Sequence, residues 1–367
     1  MEADVLKRIK EMPLFLLTML ALVAGGVLLL ALPAREFSEL ENRPLAAWEG
    51  SSLLQSGFDE KAEKYLSDQF PGRDALIMLD AAVSVTLGQR LQDGVLLGSG
   101  GYLLEEPVAE VTATARSAMD TVEEITQTLQ LPVNLLLVPT SAAALPHRLP
   151  TLYEAADQAR VLDALYAMAE QVQPVDSGLL RAADPDTRYY RTDHHLTAEG
   201  AWTVYAALCD EWGLEPLHAP YTELTDFRGS YYARIPDPRI GQETFSVEIP
   251  AVLTLTVDGA EQPFLREEAL SRRNKYGALI GETYAHAVIT GGAGEEALLV
   301  VSDSYANAIV PLLAQHFRRV DVIDPRYYAG VVSALAQEAG STRVLALYGL
   351  NTFSTNRGLA LLSIGGE

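Results

Sequence analysis

The stretch EALLVVSDSYANAIVPLLAQHF, residues 296–317, decides the fold because it reads as a buried strand that runs directly into a helix. The uninterrupted aliphatic run at its start, ALLVV (297–301), is typical of a strand that is covered on both faces. The same alternation continues in RRVDVID (318–324, strand), AGVVSALAQEAG (329–340, helix) and TRVLALYGL (342–350, strand). Strands that alternate with helices indicate parallel crossovers, so these residues predict an α/β fold in which helices flank a parallel sheet.

Composition limits the class of protein and its partners. The chain has 367 residues, 49% of them hydrophobic, which is enough for a sizeable core. Its formal net charge of -22 repels phosphate backbones, so we expect no nucleic-acid partner. Cys209 is the only cysteine, which excludes an intramolecular disulfide and indicates a small buried hydrophobe.

A run without charge lies near the N-terminus. Residues 13–32, PLFLLTMLALVAGGVLLLAL, would span a hydrocarbon core of ~30 Å as a helix. A cleaved signal peptide is the competing interpretation, but the run is longer than the usual apolar region of one. The basic residues before the run outnumber those after it. The sequence therefore predicts a single-pass membrane anchor with a cytoplasmic N-terminus and an extracytoplasmic remainder.

The pattern along the chain predicts its domain organisation. Short alternating runs rich in Tyr, Thr, Val and Gly over 218–292 indicate a β-rich insertion. The predicted segments are a cytoplasmic N-terminus (1–12), the transmembrane anchor (13–32), a linker (33–57), a main domain (58–355) that contains the insertion, and a C-terminal tail (356–367).

A serine stands at the corner where the strand of 296–317 turns into its helix. In open α/β sheets, ligand sites form at the carboxyl ends of strands, and free N–H groups at a helix start stabilise oxyanions. Ser304 lies closer to the helix turn than Ser302, which should still belong to the strand, while Asp303 is placed to orient the turn. A serine at such a corner is also a common helix N-cap, so a catalytic and a structural interpretation both stay open.

A base for that serine is offered by YYRTDHHLTAEGAW, residues 189–202, where Asp193 and His195 lie two positions apart. In an extended loop, side chains two apart face the same side, so the carboxylate can hold the imidazole in one tautomer. An imidazole held in this way can take the proton of a serine hydroxyl. The helix predicted behind the pair runs from the N-cap Thr197 to Trp212.

Other interpretations of this motif remain open. The histidines can be ordinary residues at a helix start, pH-sensitive surface groups, or metal ligands together with Asp193. The metal site is the weakest of these, because adjacent histidines rarely converge on one ion and the sequence has no HExxH motif. The sequence also contains no phosphate-binding loop, so we expect neither a metal nor a cofactor.

Several motifs together resemble the DHHW protein family. They are DHH (193–195), SDSYAN (302–307), VIDPRYY (322–328), ENRPL (41–45), DQFPGRDAL (68–76), GVLLGSGGYLLEE (94–106) and DFRGSYYAR (226–234). That family is grouped with alginate O-acetyltransferases of the AlgX and AlgJ type in the SGNH hydrolase-like superfamily. The resemblance covers roughly residues 36–355 and implies an SGNH hydrolase-like catalytic domain over 58–355.

The resemblance also implies roles for individual residues. Asp193 would orient His195, His195 would be the base, and Ser304 would be the nucleophile. His194 matches the first histidine of the family's motif and would support the pair. The sequence departs from the motif at Leu196, where the signature has tryptophan. An apolar residue can fill the same pocket, but a stacking role toward a sugar is no longer expected.

The implied chemistry is acyl transfer, in which Ser304 takes an acetyl group and a glycan hydroxyl then accepts it. Asn307 and Asn351 are candidate donors to the oxyanion, although each position also suits a structural role. Aromatic faces and planar guanidinium groups suit hydroxyl-rich ligands, so four more residues are candidates for a sugar groove: Arg73, Arg326, Tyr327 and Tyr328. The DPRYY segment is equally suited to a turn at a strand end.

The resulting expectation is a membrane-anchored O-acetyltransferase that acts on an exported or cell-wall polysaccharide. By the family resemblance, a membrane-bound O-acyltransferase partner would supply the acetyl groups. A carbohydrate esterase would use the same triad with water as acceptor. A non-catalytic glycan-binding component of an export complex is the alternative from another class.

Overall fold

The computed structural model describes residues 2–48, 56–182, 184–281 and 283–365. The chain divides into two compact units, Met1–Gly88 with Pro236–Pro238, and Gln89–Ile235 with Arg239–Glu367. The second, larger unit contains both the serine corner and the DHH motif.

The strands of the described residues are β1 (Phe37–Ser38), β2 (Arg43–Pro44), β3 (Leu91–Gln92), β4 (Val95–Leu97), β5 (Leu103–Glu105), β6 (Val133–Val138), β7 (Gln173–Pro174), β8 (Tyr221–Phe227), β9 (Glu243–Glu248), β10 (Thr254–Val257), β11 (Ala260–Gln262), β12 (His286–Thr290), β13 (Ala297–Ser302), β14 (Arg319–Ile323) and β15 (Arg343–Gly349). The α-helices are α1 (Glu2–Ala31), α2 (Phe58–Gln69), α3 (Arg73–Thr86), α4 (Ala113–Leu129), α5 (Ser141–Ala144), α6 (Gln158–Tyr166), α7 (Ala198–Trp212), α8 (Glu267–Leu270), α9 (Val310–Leu313), α10 (Val332–Ala339) and α11 (Leu350–Thr355).

An eight-stranded sheet in the order β11-β10-β12-β14-β13-β15-β6-β7 organises the larger unit. Its β14-β13-β15-β6-β7 part is parallel, as the alternation of strands and helices predicts. The prediction of a parallel sheet is wrong for the other edge, where β12, β10 and β11 pair antiparallel and make the sheet mixed. One physical reason is the Asp258-Gly259 turn between β10 and β11, whose φ angles of 48° and 84° suit a two-residue hairpin. The fold is therefore α/β with a mixed sheet.

The central strands are buried on both faces, which explains their unbroken aliphatic sequences. On β13, Leu298 and Val300 pack into one core, and Leu299 and Val301 pack into the other. The first core includes residues of α7 and α9, whereas the second includes residues of α4, α6, α10 and α11. Helices on both sides leave the carboxyl ends of the parallel strands as the edge at which a site can form.

The strands of the predicted β-rich segment, 218–292, belong to two different sheets. β8 and β9 form a separate antiparallel pair, which brings β9 close to the DHH motif through Glu243. β10, β11 and β12 extend the main sheet.

The smaller unit is held by ion pairs between two of the motifs that carry the family resemblance. Arg43 donates to the buried Asp68 at 2.6 Å, and this hydrogen bond lowers the pKa of Asp68 to about 2 despite its burial. Arg73 pairs with Glu41, with one Nη2–Oε1 distance of 3.1 Å. The ENRPL and DQFPGRDAL motifs therefore have a structural role within this unit.

The predicted membrane anchor over 13–32 is wrong, because no helix of the described residues is long and apolar enough to cross a membrane. The uncharged run is only part of α1, whose residues 2–11 include six charged side chains. Pro13 lies inside this helix, and Gly25 packs so closely on Phe70 that a Cβ would come within 2.6 Å of the ring. The predicted single-pass membrane localisation is corrected accordingly.

Candidate active site

The corner after β13 is fixed by a buried carboxylate. Asp303 accepts the N–H of Tyr305 at 3.0 Å, and its other oxygen accepts the N–H of Gly349 at 3.0 Å. Because Gly349 ends β15, one side chain ties together the carboxyl ends of two neighbouring strands. Burial raises the pKa of Asp303 to about 6, although both N–H groups oppose this shift. Ser304 follows directly and begins a short 3-10 helix, so its position is set by this bracket.

Ser304, His195 and Asp193 form one hydrogen-bonded row. His195 Nε2 lies 2.9 Å from Ser304 Oγ, and His195 Nδ1 lies 2.5 Å from Asp193 Oδ1. The pair sits in the loop before α7, whose N-cap Thr197 accepts the N–H of Gly200 at 3.2 Å. The structure therefore brings the three predicted residues together from segments that are 109 positions apart.

Asp193 is fully buried, and both of its carboxylate oxygens accept hydrogen bonds. Oδ1 also accepts the backbone N–H of His195 at 2.9 Å, and Oδ2 accepts the N–H of Ser230 at 2.6 Å. Burial opposes ionisation, but the neighbouring His195 and His194 and these hydrogen bonds hold the pKa of Asp193 well below its usual value. Gly229 permits this contact, since a Cβ there would lie 2.2 Å from the Asp193 Cβ.

The imidazole of His195 is held between two other rings. Tyr276 stacks on it with ring centroids 3.5 Å apart and an interplanar angle of 6°. His194 lies against it at 3.6 Å, tilted by 37°. The Tyr276 hydroxyl donates to the backbone carbonyl of Ser304 at 3.0 Å, so one side chain contacts both His195 and the segment of Ser304. Burial raises the pKa of Tyr276 far above its usual value, which keeps this hydroxyl a donor.

His194 is a neutral neighbour of the row. Its Nδ1 lies 3.0 Å from Ser230 Oγ, and 27% of its side chain is exposed. Burial, followed by the charge of His195, lowers the pKa of His194 to about 4. At neutral pH His194 therefore contributes an uncharged ring beside the row.

Asp193, His194 and His195 also offer ligand atoms within 4.8 Å of one another. A cation bound by both His195 Nδ1 and Asp193 Oδ1 would replace the 2.5 Å hydrogen bond that joins these two atoms. The expected absence of a metal remains a prediction.

A cavity of about 220 Å³ lies beside His194, the neighbour of the row. Its wall consists of Glu105, His194, Ser230, Tyr231, Arg234, Tyr305, Gly349, Asn351 and Thr352. Among the predicted site residues, His194 and Asn351 are in this wall. Asn351 Nδ2 donates to the Glu106 carbonyl at 2.8 Å, and its Oδ1 accepts from the Val108 N–H and from Gln158 Nε2, both at 3.2 Å, so its amide holds the wall.

The other predicted site residues lie elsewhere. Asn307 donates both amide hydrogens, to Leu279 and Gly281 carbonyls at 3.3 Å, and accepts from Tyr284 at 2.8 Å, so it anchors a loop. Arg73 is paired with Glu41 in the smaller unit.

The DPRYY segment follows β14 and is outside the cavity wall. Arg326 forms a two-pronged ion pair with Asp324 and lies over the ring of Tyr327 at 5.4 Å. Tyr327 is exposed, and Tyr328 lies near His286 at 6.2 Å. Leu196, where the family signature has tryptophan, is buried in the core beside α7.

Sequence reasoning missed Tyr276, Ser230 and Glu243. Glu243 accepts the N–H groups of Arg191 and Thr192, both at 2.8 Å, and so supports the DHH loop from β9. Ser230 belongs to the DFRGSYYAR motif, which signalled the family but no role. No pattern in the sequence singles out Tyr276.

The comparisons with known proteins agree with this architecture. The DHHW protein family model matches residues 155–323, which include Asp193, His195 and Ser304. No curated protein sequence matches the chain.

Solved structures of similar fold cover most of the chain. A DHHW family protein from Eubacterium siraeum is 22% identical, with a TM-score of 0.67 over 75% of this chain and 98% of that one. Bacillus cereus PatB1 is 21% identical, with a TM-score of 0.60 over 72% and 98%, and its structure with a sulfonyl adduct scores 0.59. The O-acetyltransferase domain of Pseudomonas putida AlgJ is more distant, at 15% identity and 0.47 over 72% and 93%. The predicted resemblance to the DHHW family is confirmed, and at these identities the likeness to the solved structures establishes the fold alone.

Proposed function

We propose that the protein is a polysaccharide O-acetyltransferase that works through an acetyl ester on Ser304. The observation that carries this proposal is the row from Ser304 Oγ to His195 Nε2 at 2.9 Å and from His195 Nδ1 to Asp193 at 2.5 Å. A serine hydroxyl becomes a useful nucleophile only when a base takes its proton, and this row supplies that base.

In the first half of the reaction, Ser304 Oγ attacks the carbonyl carbon of an acetyl donor. His195 Nε2 takes the hydroxyl proton, and the buried Asp193 carboxylate stabilises the imidazolium that forms. When the tetrahedral intermediate collapses, the bond to the donor oxygen breaks and His195 returns the proton to that oxygen. The acetyl group is then an ester of Ser304.

In the second half, a sugar hydroxyl takes the place of the departed donor. His195 Nε2 removes its proton, the sugar oxygen attacks the acetyl carbon, and the proton returns to Ser304 Oγ. The backbone N–H of Ser304, which makes no hydrogen bond to any described residue, is available at the corner for the oxyanion. The acetyl group leaves as an ester of the sugar.

The family resemblance favours a membrane-bound O-acyltransferase partner that hands over acetyl groups, and an exported or cell-wall glycan as acceptor. The formal charge of -22 disfavours a polyanion as either partner.

A carbohydrate esterase is the second candidate. Ser304 is partly exposed, so water can also reach an acetyl ester at this position. The row serves either acceptor, and the two reactions differ only in whether a sugar or water attacks.

The full chain should be incubated with a chromogenic acetyl ester, with and without an oligosaccharide acceptor. Acetylated oligosaccharide that disappears in Ser304→Ala and His195→Ala supports the transferase, and Ser117→Ala, which changes an exposed serine of α4, is the matched control. Free acetate without acetylated sugar supports the esterase instead. Full transfer by folded Ser304→Ala would refute both.

A further inference from the structure

The cavity beside the row contains two opposite charges and a buried hydroxyl. Glu105 ends β5 and is half-buried, while Arg234 is exposed and lies over the Tyr231 ring at 5.7 Å. Tyr231 is only 2% exposed, and its hydroxyl has no hydrogen bond of standard geometry to any described residue, although the Glu105 carboxylate is close enough to raise its pKa. A buried hydroxyl without a partner costs free energy unless a ligand or solvent satisfies it.

This cavity is connected to the row through two of its wall residues. The ring of His194 lies 3.6 Å from that of His195, tilted by 37°, and the ring of Tyr231 lies 5.6 Å from His194. Tyr305, also in the wall, directly follows Ser304. A sugar unit seated here would therefore contact the residues next to Ser304 and His195.

We propose that this cavity is the acceptor subsite and that it selects an uncharged sugar unit over a uronate, with Glu105, Arg234 and Tyr231 as the groups that read its hydroxyls. This inference rests on the proposed transferase function and names the class of its acceptor.

The hydrogen-bonding groups of the wall suit a neutral sugar. The Glu105 carboxylate accepts from sugar hydroxyls, the Arg234 guanidinium donates to them, and the Tyr231 hydroxyl can do either. Charge-assisted hydrogen bonds of this kind are the strong ones. Ser230 and Thr352 add further neutral hydroxyls to the same wall.

A sugar carboxylate would be disfavoured in this cavity. Glu105 is half-buried, whereas Arg234 is exposed and already donates to the Asp93 carbonyl at 3.0 Å. Solvent screens an exposed charge more than a half-buried one, so the repulsion from Glu105 outweighs the attraction of Arg234. Burial, followed by the charge of Glu105, raises the pKa of Tyr231 well above its usual value.

The test compares neutral and uronate oligosaccharides of equal length as acceptors, with a chromogenic acetyl ester as donor and the full chain as enzyme. We expect kcat/KM for the neutral acceptor to exceed that for the uronate by at least about tenfold. Glu105→Gln should raise KM for the neutral acceptor on the order of tenfold and narrow the gap. Tyr231→Phe should raise KM for the neutral acceptor without narrowing the difference in kcat/KM between the two acceptors. Glu110→Gln, which changes an exposed carboxylate outside the cavity wall, is the matched control and should leave all values unchanged.

A binding measurement separates this inference from the proposed reaction. Calorimetry with Ser304→Ala should detect binding of the neutral oligosaccharide and only weak binding of the uronate. The double variant Ser304→Ala, Glu105→Gln should bind the neutral oligosaccharide more weakly. Equal or preferred binding of the uronate, or no effect of either wall variant, overturns the subsite. Selective binding of the neutral sugar without any Ser304-dependent acetyl transfer would leave the subsite standing and overturn the proposed function.

Discussion

Replacement of Asp193 by asparagine is the most informative single change at the site. In the wild type, one carboxylate oxygen accepts from Ser230 and the other accepts twice from His195. An amide has only one acceptor oxygen, so its NH2 group must face a donor in either orientation. The variant is isosteric with the native residue, and its effect therefore reports on hydrogen bonding and charge.

Each orientation of the asparagine has its own cost. With the amide oxygen toward His195, the imidazole keeps its tautomer but loses a negative charge about 4 Å away, which is worth about 4 kcal/mol at an effective dielectric of about 20. With the NH2 group toward His195, Nδ1 becomes the acceptor and the proton moves to Nε2, the nitrogen that must take the Ser304 proton. A wrong tautomer of this kind costs about four orders of magnitude in rate.

We therefore expect Asp193→Asn to lower kcat/KM for a chromogenic acetyl ester by about 10³–10⁴, or about 4–5.5 kcal/mol. The unpaired buried donor should also lower the free energy of unfolding by about 1–3 kcal/mol, measurable by urea titration. Asp120→Asn, on an exposed position of α4, is the matched control. Activity within about tenfold of wild type in a folded Asp193→Asn protein would refute the assigned role of this carboxylate.

Three further results follow from the same geometry. Tyr276→Phe should lower kcat by about tenfold or less, because the ring that stacks at 3.5 Å remains, whereas Tyr276→Leu should lower it further; equal activities would exclude stacking as the contribution. The pKa of His194 is lowered to about 4 from about 6.5, so between these pH values the unfolded chain binds a proton that the folded protein does not. The free energy of unfolding of the wild type should therefore fall, by up to about 3 kcal/mol, as the pH is lowered from 6.5 to 4. Urea titrations of His194→Gln should show a smaller decline over the same pH range. Excess chelator should leave ester cleavage unchanged, because the proposed reaction uses the 2.5 Å hydrogen bond between Asp193 and His195 and needs no cation there. Loss of activity that a divalent metal restores would indicate a metal site instead.

The parallel part of the sheet could be predicted because its strands are buried on both faces. The residues of β13, β14 and β15 form unbroken aliphatic runs between helices, and that pattern has few other structural explanations. The antiparallel edge could not be predicted, since its strands alternate in the usual way and only long-range pairing decides which sheet they join. The prediction for the N-terminal run was wrong because it considered only the uncharged residues 13–32 and not the charged residues at the start of α1.

At the site, spacing and chemistry suggested the residues that act directly on one another. Asp193 and His195 are two apart in one loop, and Ser304 lies at a strand-to-helix corner, so local patterns marked them as candidates and the family resemblance supplied their expected roles. The residues that support them have no such pattern. Tyr276 reaches its partners only through the folded chain.

The candidate sugar ligands show the limit of inference from residue type. Arg326 suits a planar hydrogen-bonding role, but the nearest carboxylate, Asp324, is two residues away and takes up its guanidinium. Arg73 is likewise paired with Glu41. Residue type predicts what a side chain can do, whereas local competition for its hydrogen bonds decides what it does.

The central claim, that Ser304 becomes acetylated, can be measured by mass spectrometry of the intact protein mixed with a chromogenic acetyl ester and quenched in acid within the first turnovers. We predict that the wild-type chain gains the mass of one acetyl group on the peptide that contains Ser304, and that His195→Ala gains none. Turnover of the ester without acetylation, or acetylation confined to another residue while Ser304→Ala stays active, would contradict the account.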